Sequence, residues 1–108
     1  MRRGDIVTVA MQGDFGKPRP AVVIQTNALL NTRHVIVCPL TASGIDLPAM
    51  RYPIEANPEN GLRADSLVML NNVATVSRDK CGGLLGSLTT EQMLAINERL
   101  AFVLGLAG

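Results

Sequence analysis

The chain has 108 residues, a formal net charge of +1 and 47% apolar residues, with no Trp, one Tyr and two Phe. That length suits one domain, residues 1–108, and leaves little room for a second. The near-neutral charge excludes a strongly basic nucleic-acid coat but not a local basic site, and no segment approaches the ~20 apolar residues that cross a bilayer.

The core must be built from Val, Ile, Leu, Met and Ala. A positive mean hydropathy in so short a chain predicts more apolar surface than a monomer buries, so a homodimer is expected. The opening MRRGDIVTVAM has two arginines but no long apolar stretch and no small-residue cleavage site, so it does not read as a signal peptide. The protein is expected in the cytoplasm, with no membrane partner. Cys38 lies inside an apolar run and reads as a buried free thiol.

In chain order, Ile6 to Met11 is β-rich and follows Gly4-Asp5. Gln12 to Pro20, punctuated by two glycines and two prolines, reads as a loop. Ala21 to Gln25 and His34 to Leu40 are continuous apolar runs, the pattern of strands buried on both faces. Pro39 cannot donate to a ladder, so the second run is expected to end there or lie at an edge. Thr41 to Met50 reads as a loop, Arg51 to Ala56 as an outer strand, and Asn57-Pro58-Glu59-Asn60-Gly61 as a turn. Ser66 to Leu70 and Ala74 to Val76 are further strands, and Cys81-Gly82-Gly83 reads as a loop before a helix. Thr89 and Gln92 fit a capping box. Met93, Ile96, Leu100, Val103 and Leu104 form a stripe at helical spacing, widened by Leu94 and Ala101, and Gly105 is the stop. The fold class is therefore α+β, mainly β: five or six short strands curled into a small barrel, with one C-terminal α-helix.

Several chemistries drop out. The single histidine, His34, stands at a strand edge, no His/Cys cluster has metal spacing, and no Gly-rich phosphate loop precedes a helix. What remains is two segments. In Lys17-Pro18-Arg19-Pro20 the prolines stiffen the mount of a guanidinium, whose planar fork suits a phosphate. Thr41-Ala42-Ser43-Gly44 offers two hydroxyls where an apolar strand ends. Taken alone, the plainer readings come first: Arg19 as a surface charge at a strand start and Thr41 as a turn residue.

Four blocks then carry a likeness that runs from end to end: Arg3-Gly4-Asp5-Ile6-Val7, Gly16 to Gln25 with its Arg-Pro before an apolar strand, Val35 to Ser43 with its Pro-Leu-Thr, and Gly61 to Leu70. In these blocks the sequence resembles the MazF/PemK toxins of the CcdB/PemK superfamily. The resemblance implies an SH3-like barrel and a dimer whose groove binds single-stranded RNA. It also implies cofactor-free, metal-independent cleavage in which the 2′-hydroxyl attacks the adjacent phosphate. Carried over by position, Arg19 and Thr41 are the catalytic residues, and Gln12, Phe15, Lys17, Ser43, Arg51 and Tyr52 are RNA-binding candidates. A cognate antitoxin is the implied protein partner, with operator DNA reached only through the antitoxin complex. The chain departs from the pattern at Met69 and Asn71, where relatives carry an Arg-x-Asp pair, so an acid–base role does not transfer there. Ala74 replaces a frequent arginine.

Two other readings meet obstacles in the same residues. A CcdB-like gyrase poison needs a Trp-Gly-Ile-type ending, whereas this chain ends Leu106-Ala107-Gly108. A non-catalytic SH3-like module would want an aromatic-lined groove.

Overall fold

Alternation at period two puts successive side chains of a strand on opposite faces, and in the central strands both sets are apolar. The computed structural model describes residues 1–11, 17–44 and 47–107. Its elements are β1 (Asp5–Ala10), β2 (Pro18–Val23), β3 (His34–Thr41), β4 (Arg51–Ile54), β5 (Ser66–Met69), β6 (Ala74–Ser77), β7 (Cys81–Ser87) and α1 (Thr90–Val103). Short 3-10 turns occupy Asn27–Leu29 and Arg78–Lys80. The strands form one antiparallel sheet in the order β4-β5-β3-β2-β1-β7, with β6 lying beside β3.

Ile6, Val22, Cys38 and Leu40 face one way and pack with Ile54, Val68, Leu70 and the helix residues Met93, Ile96 and Leu100. Val7, Val9, Ala21, Val23, Val35 and Val37 face the other way and form a second cluster. The continuous apolar runs thus serve two cores, each fully buried aliphatic side chain contributing about 1.5–3 kcal/mol.

Cys81–Ser87 differs from the expected loop: it is a seventh strand, paired with β1 through two register shifts. Its glycines hid it, and they have a packing reason. A Cβ on Gly86 would stand 2.2 Å from the Glu59 carbonyl oxygen, and one on Gly61 2.1 Å from that of Leu85. The 57–61 turn therefore lies flat on β7, where Ser87 N–H donates to Glu59 O at 3.0 Å. β4 and β7 end the hydrogen-bonded path, so strand pairing does not close a barrel; this turn spans the seam instead.

β2 also begins earlier than expected, at Pro18, and pairs with β1 from Ala10↔Pro18 to Ile6↔Val22. Donors alternate sides along an antiparallel strand. Just past β2, Ile24 N–H donates to Ile36 O at 3.0 Å, so the even-numbered residues direct their donors at β3. Val22 holds the next such position, within the ladder; Pro20 and Pro18 hold the two after it and have no N–H to give. The β2–β3 ladder accordingly stops at Ala21↔Pro39. Beyond it the register would set Thr41 opposite Arg19, but the strands are unpaired. β3 runs on to Thr41, two residues past Pro39, and changes partner from β6, which pairs through Val37, to β5, which pairs from Leu40. Pro39 sits between those two pairings, neither ending the strand nor edging the sheet. β4 stops at Ile54, short of Ala56, and pairs only with β5, an edge position that tolerates Pro53.

The helix carries the capping box read from sequence: Gln92 N–H donates to Thr89 Oγ1 at 3.1 Å and Thr89 N–H to Gln92 Oε1 at 2.9 Å. It ends at Gly105, with Gly105 N–H donating to Phe102 O and Leu106 N–H to Ala101 O, a Schellman closure. The buried stripe is narrower than expected. Met93, Ile96 and Leu100 are buried and Val103 packs beside them, whereas Leu94 and Leu104 are 58% and 56% exposed.

Candidate functional site

Where β2 and β3 part, a cleft of ≈ 800 Å³ opens. Arg19, Thr41 and Ser43 line it together with the segment Gly61 to Ala64, which includes Arg63; Thr8, Ser66, Met69 and Leu85 are also part of the lining. The prolines that end the ladder thus also hold Arg19 on a paired strand, at the mouth of the gap they create.

Thr41 is tied to the segment that follows it. Its hydroxyl donates to Ser43 O at 2.8 Å, and Ser43 N–H donates back to Thr41 Oγ1 at 3.2 Å, a turn that hydroxyl residues commonly make. The oxygen keeps accepting capacity and stands at the cleft wall. The described lining holds two guanidiniums and several hydroxyls but no carboxylate and no imidazole. Such a set can hold a phosphate and stabilise added negative charge on it.

Sequence reasoning named eight residues. The structure brings Arg19, Thr41 and Ser43 together. Lys17 is exposed just before β2 and does not line the cleft. Arg51 and Tyr52 also stand apart from it. A Cβ on Gly44 would lie 3.0 Å from Arg51 Nη1, so that guanidinium underlies the 41–44 segment. The ring of Tyr52 packs against the core, with the Arg99 guanidinium 4.9 Å from its centroid. Arg99 is itself held by Pro48 O at 2.8 Å and Arg51 O at 2.7 Å. Gln12 and Phe15 lie outside the described residues.

Arg63 was missed as a site residue. It belongs to one of the four motif blocks, but only the crossing of the 57–61 turn to β7 brings it to the cleft, and no local pattern announces that crossing. A smaller cavity of ≈ 280 Å³ adjoins the cleft across Thr41, Ala42 and Ser43 and is lined on its far side by Glu55 and Asp65.

Neither cysteine belongs to the site. Cys38 is buried, and burial pushes its thiol up to about 11, with Arg3 pulling weakly the other way. Burial also raises Cys81, against the opposing charge of Arg78. Among the described residues no three His, Cys, Asp or Glu side chains gather as a metal site would require, and no helix is long and apolar enough to cross a membrane.

Residues 2–104 match the family of PemK-like, MazF-like toxins of type II toxin-antitoxin systems. The chain is 40% identical to a "Probable endoribonuclease MazF" of Mycolicibacterium smegmatis, over the whole of both proteins. Among solved structures it superposes with a TM-score of 0.80 on a mycobacterial endoribonuclease in complex with its cognate antitoxin, at 27% identity, covering 100% of this chain and 98% of that one. The Mycobacterium tuberculosis toxin MazF-mt6 gives the same TM-score at 25% identity, over 95% of this chain and 99% of that one.

Proposed function

The chain belongs to the PemK-like, MazF-like toxins of type II toxin–antitoxin systems, and from that premise we propose that its cleft cuts single-stranded RNA without a metal ion. The observation that carries this reading is the placement of Arg19 and Thr41 in one cleft, at positions the register would have set opposite each other had the ladder continued.

In the proposed reaction the ribose 2′-oxygen bonds to the adjacent phosphorus and the bond to the 5′-oxygen breaks. The products are a 2′,3′-cyclic phosphate and a free 5′-hydroxyl. Negative charge on the non-bridging oxygens grows as the 2′-oxygen attacks. A guanidinium fixed beside them therefore contributes more in the transition state than in the ground state. Thr41 adds a hydrogen bond to the same phosphate by turning its hydroxyl proton from Ser43 O to a phosphate oxygen. With no carboxylate or imidazole in the described lining, positioning and charge stabilisation are the main resources, and the protons exchange with solvent. Single strands are preferred because a constrained duplex resists the in-line approach of the 2′-oxygen.

The partners follow the same reading. A cognate antitoxin, as in the mycobacterial complex, would cover the cleft with an acidic or amphipathic segment that folds on binding and competes for Lys17 and Arg19. Leu84, Leu94, Phe102, Leu104 and Leu106 remain exposed on one chain, which favours a homodimer. The site of action is the cytoplasm, where RNA and antitoxin are both present.

Incubating the purified protein with a long single-stranded RNA in excess EDTA, then mapping the ends, tests the reading. Cuts at preferred positions with cyclic phosphate and 5′-hydroxyl ends are expected. Activity that vanishes with EDTA would sink it.

A further inference from the structure

We propose that Arg63 is a substrate-positioning residue that holds a phosphate neighbouring the one Arg19 engages, so that the RNA strand is gripped at two points of the cleft. The inference rests on the RNA-cleavage reading and adds a residue to which the motif blocks gave no role.

Location comes first. Arg63 lines the same cleft as Arg19 and Thr41. Two cations in one groove suit a polyanion laid along it, since each phosphate along a single strand needs its own counter-charge.

Three other arginines are used within the fold. Arg3 donates to Ile24 O at 2.8 Å and to Asn97 Oδ1 at 2.6 Å. Arg78 donates to the Thr32 carbonyl, and Arg99 to two carbonyls besides covering Tyr52. These side chains knit the fold. Arg63 makes no hydrogen bond or ion pair within the described residues, and it stands exposed at the cleft.

Third is the mount. The 55–65 segment is irregular yet heavily tied. Asn60, 1% exposed, donates from Nδ2 to Glu55 O at 2.9 Å and accepts at Oδ1 from the N–H groups of Asn57 (3.1 Å) and Leu62 (3.0 Å). Its own N–H donates to Asn57 Oδ1 at 2.8 Å, and Asp65 Oδ1 accepts from Ala56 N–H at 2.8 Å. Burying an amide is unfavourable unless its hydrogen bonds are made, and here they are. Gly61, pressed on β7, completes the clamp. Arg63 leaves this fixed base three residues past Asn60, so little backbone entropy is lost when it binds a ligand.

The test separates positioning from chemistry. Wild-type protein, Arg63→Ala and Arg63→Lys are titrated with a 2′-O-methyl version of an RNA that the wild type cuts, at several salt concentrations, and cleavage of the unmodified RNA is followed in parallel. Arg63→Ala is expected to weaken binding about tenfold and to reduce the slope of log K against log salt by about 0.7, the value for one contact to a single strand. Its loss in cleavage should fall on KM rather than kcat. Arg63→Lys should recover the slope, because it restores the charge. Unchanged affinity and slope in Arg63→Ala, with wild-type cleavage intact, would overturn this inference alone. So would weaker binding with an unchanged slope, which would assign the effect to the segment's structure. A wild type that neither binds nor cuts RNA would overturn the reading of the cleft itself.

Discussion

From Ala21 to Val23, β2 lies against Val37–Pro39 of β3 as an ordinary ladder, and every side chain there is buried. One step further, from Pro18 to Pro20, β2 runs on beside β1 but no longer pairs with β3, and its side chains stand exposed or half-buried. The two halves belong to the same pair of strands. They differ in whether the donors directed at β3 exist. With an N–H present, the strands close into core; with proline in its place, they part and leave a cleft. One strand pair thus supplies both the stability and the proposed chemistry, divided at Pro20.

That division predicts that activity and stability can be broken separately. The largest effect is expected at the open half. Arg19→Ala should lower the cleavage rate by ~10²–10³, the typical loss for one donor to a developing anion, while the thermal midpoint stays put. Arg19→Lys should rescue little, because lysine keeps the charge without the fork. Thr41→Ala should follow with a smaller loss, since water can replace part of its hydrogen bond. A wild-type rate in Arg19→Ala would refute the site.

In the closed half the consequences reverse. Val22, fully buried against the helix-facing cluster, should lose about 2–3 kcal/mol of stability on substitution by alanine, from lost transfer energy and a residual cavity. Urea unfolding reads this directly, and the folded fraction should still cleave. An equal loss of kcat per folded molecule would show that the halves are not separable.

A pH titration of stability sharpens the same contrast without touching the cleft. Cys38 has its pKa raised from 9.0 to about 11 in the folded chain. The folded state therefore keeps its thiol proton where the unfolded state loses it. This contribution is fully present below about pH 9 and is lost as pH rises toward 11, by roughly 2–3 kcal/mol in all. Cys81 shifts in the same direction, so the informative measurement is the urea midpoint of the wild type against Cys38→Ala at pH 8 and pH 10.5. If both proteins lose stability equally, Cys38 is not the cause.

The smallest expected change is the most direct test of the proline argument. Pro20→Ala returns a donor on the β3 side and should let the ladder grow one step toward Leu40. The new amide should then be protected from hydrogen exchange, and cleavage should fall as the mouth of the cleft narrows. Stability should move by no more than about 0.4–1 kcal/mol, because a freer unfolded chain offsets the added bond. A freely exchanging amide at position 20 would mean that something other than the missing donor holds the strands apart.

Local pattern made some elements legible and left others hidden. Thr89 and Gln92 fixed the start of α1 because a capping box closes within four residues, and Gly105 fixed its end for the same kind of reason. The apolar runs at 21–25 and 34–40 announced buried strands, although β2 stops at Val23 and begins three residues earlier than its composition suggested. β7 was hidden because glycine is a turn residue by local propensity, and its presence here answers a distant carbonyl. Leu94 and Leu104 fit the helical stripe by spacing, yet the sheet is not wide enough to cover them.

Periodicity, caps and contiguous motifs are properties of near neighbours along the chain, so the strands buried on both faces, the capped helix, the family and the proposal of Arg19 and Thr41 as a pair were legible in the sequence. It took the folded chain to show that Pro20 splits β2 from β3, that the 57–61 turn crosses to β7, and that Arg63 therefore shares a cleft with Arg19. Those outcomes depend on which backbone groups meet across dozens of residues, and a missing N–H or a missing Cβ has its effect only when a partner arrives to need the donor or the space.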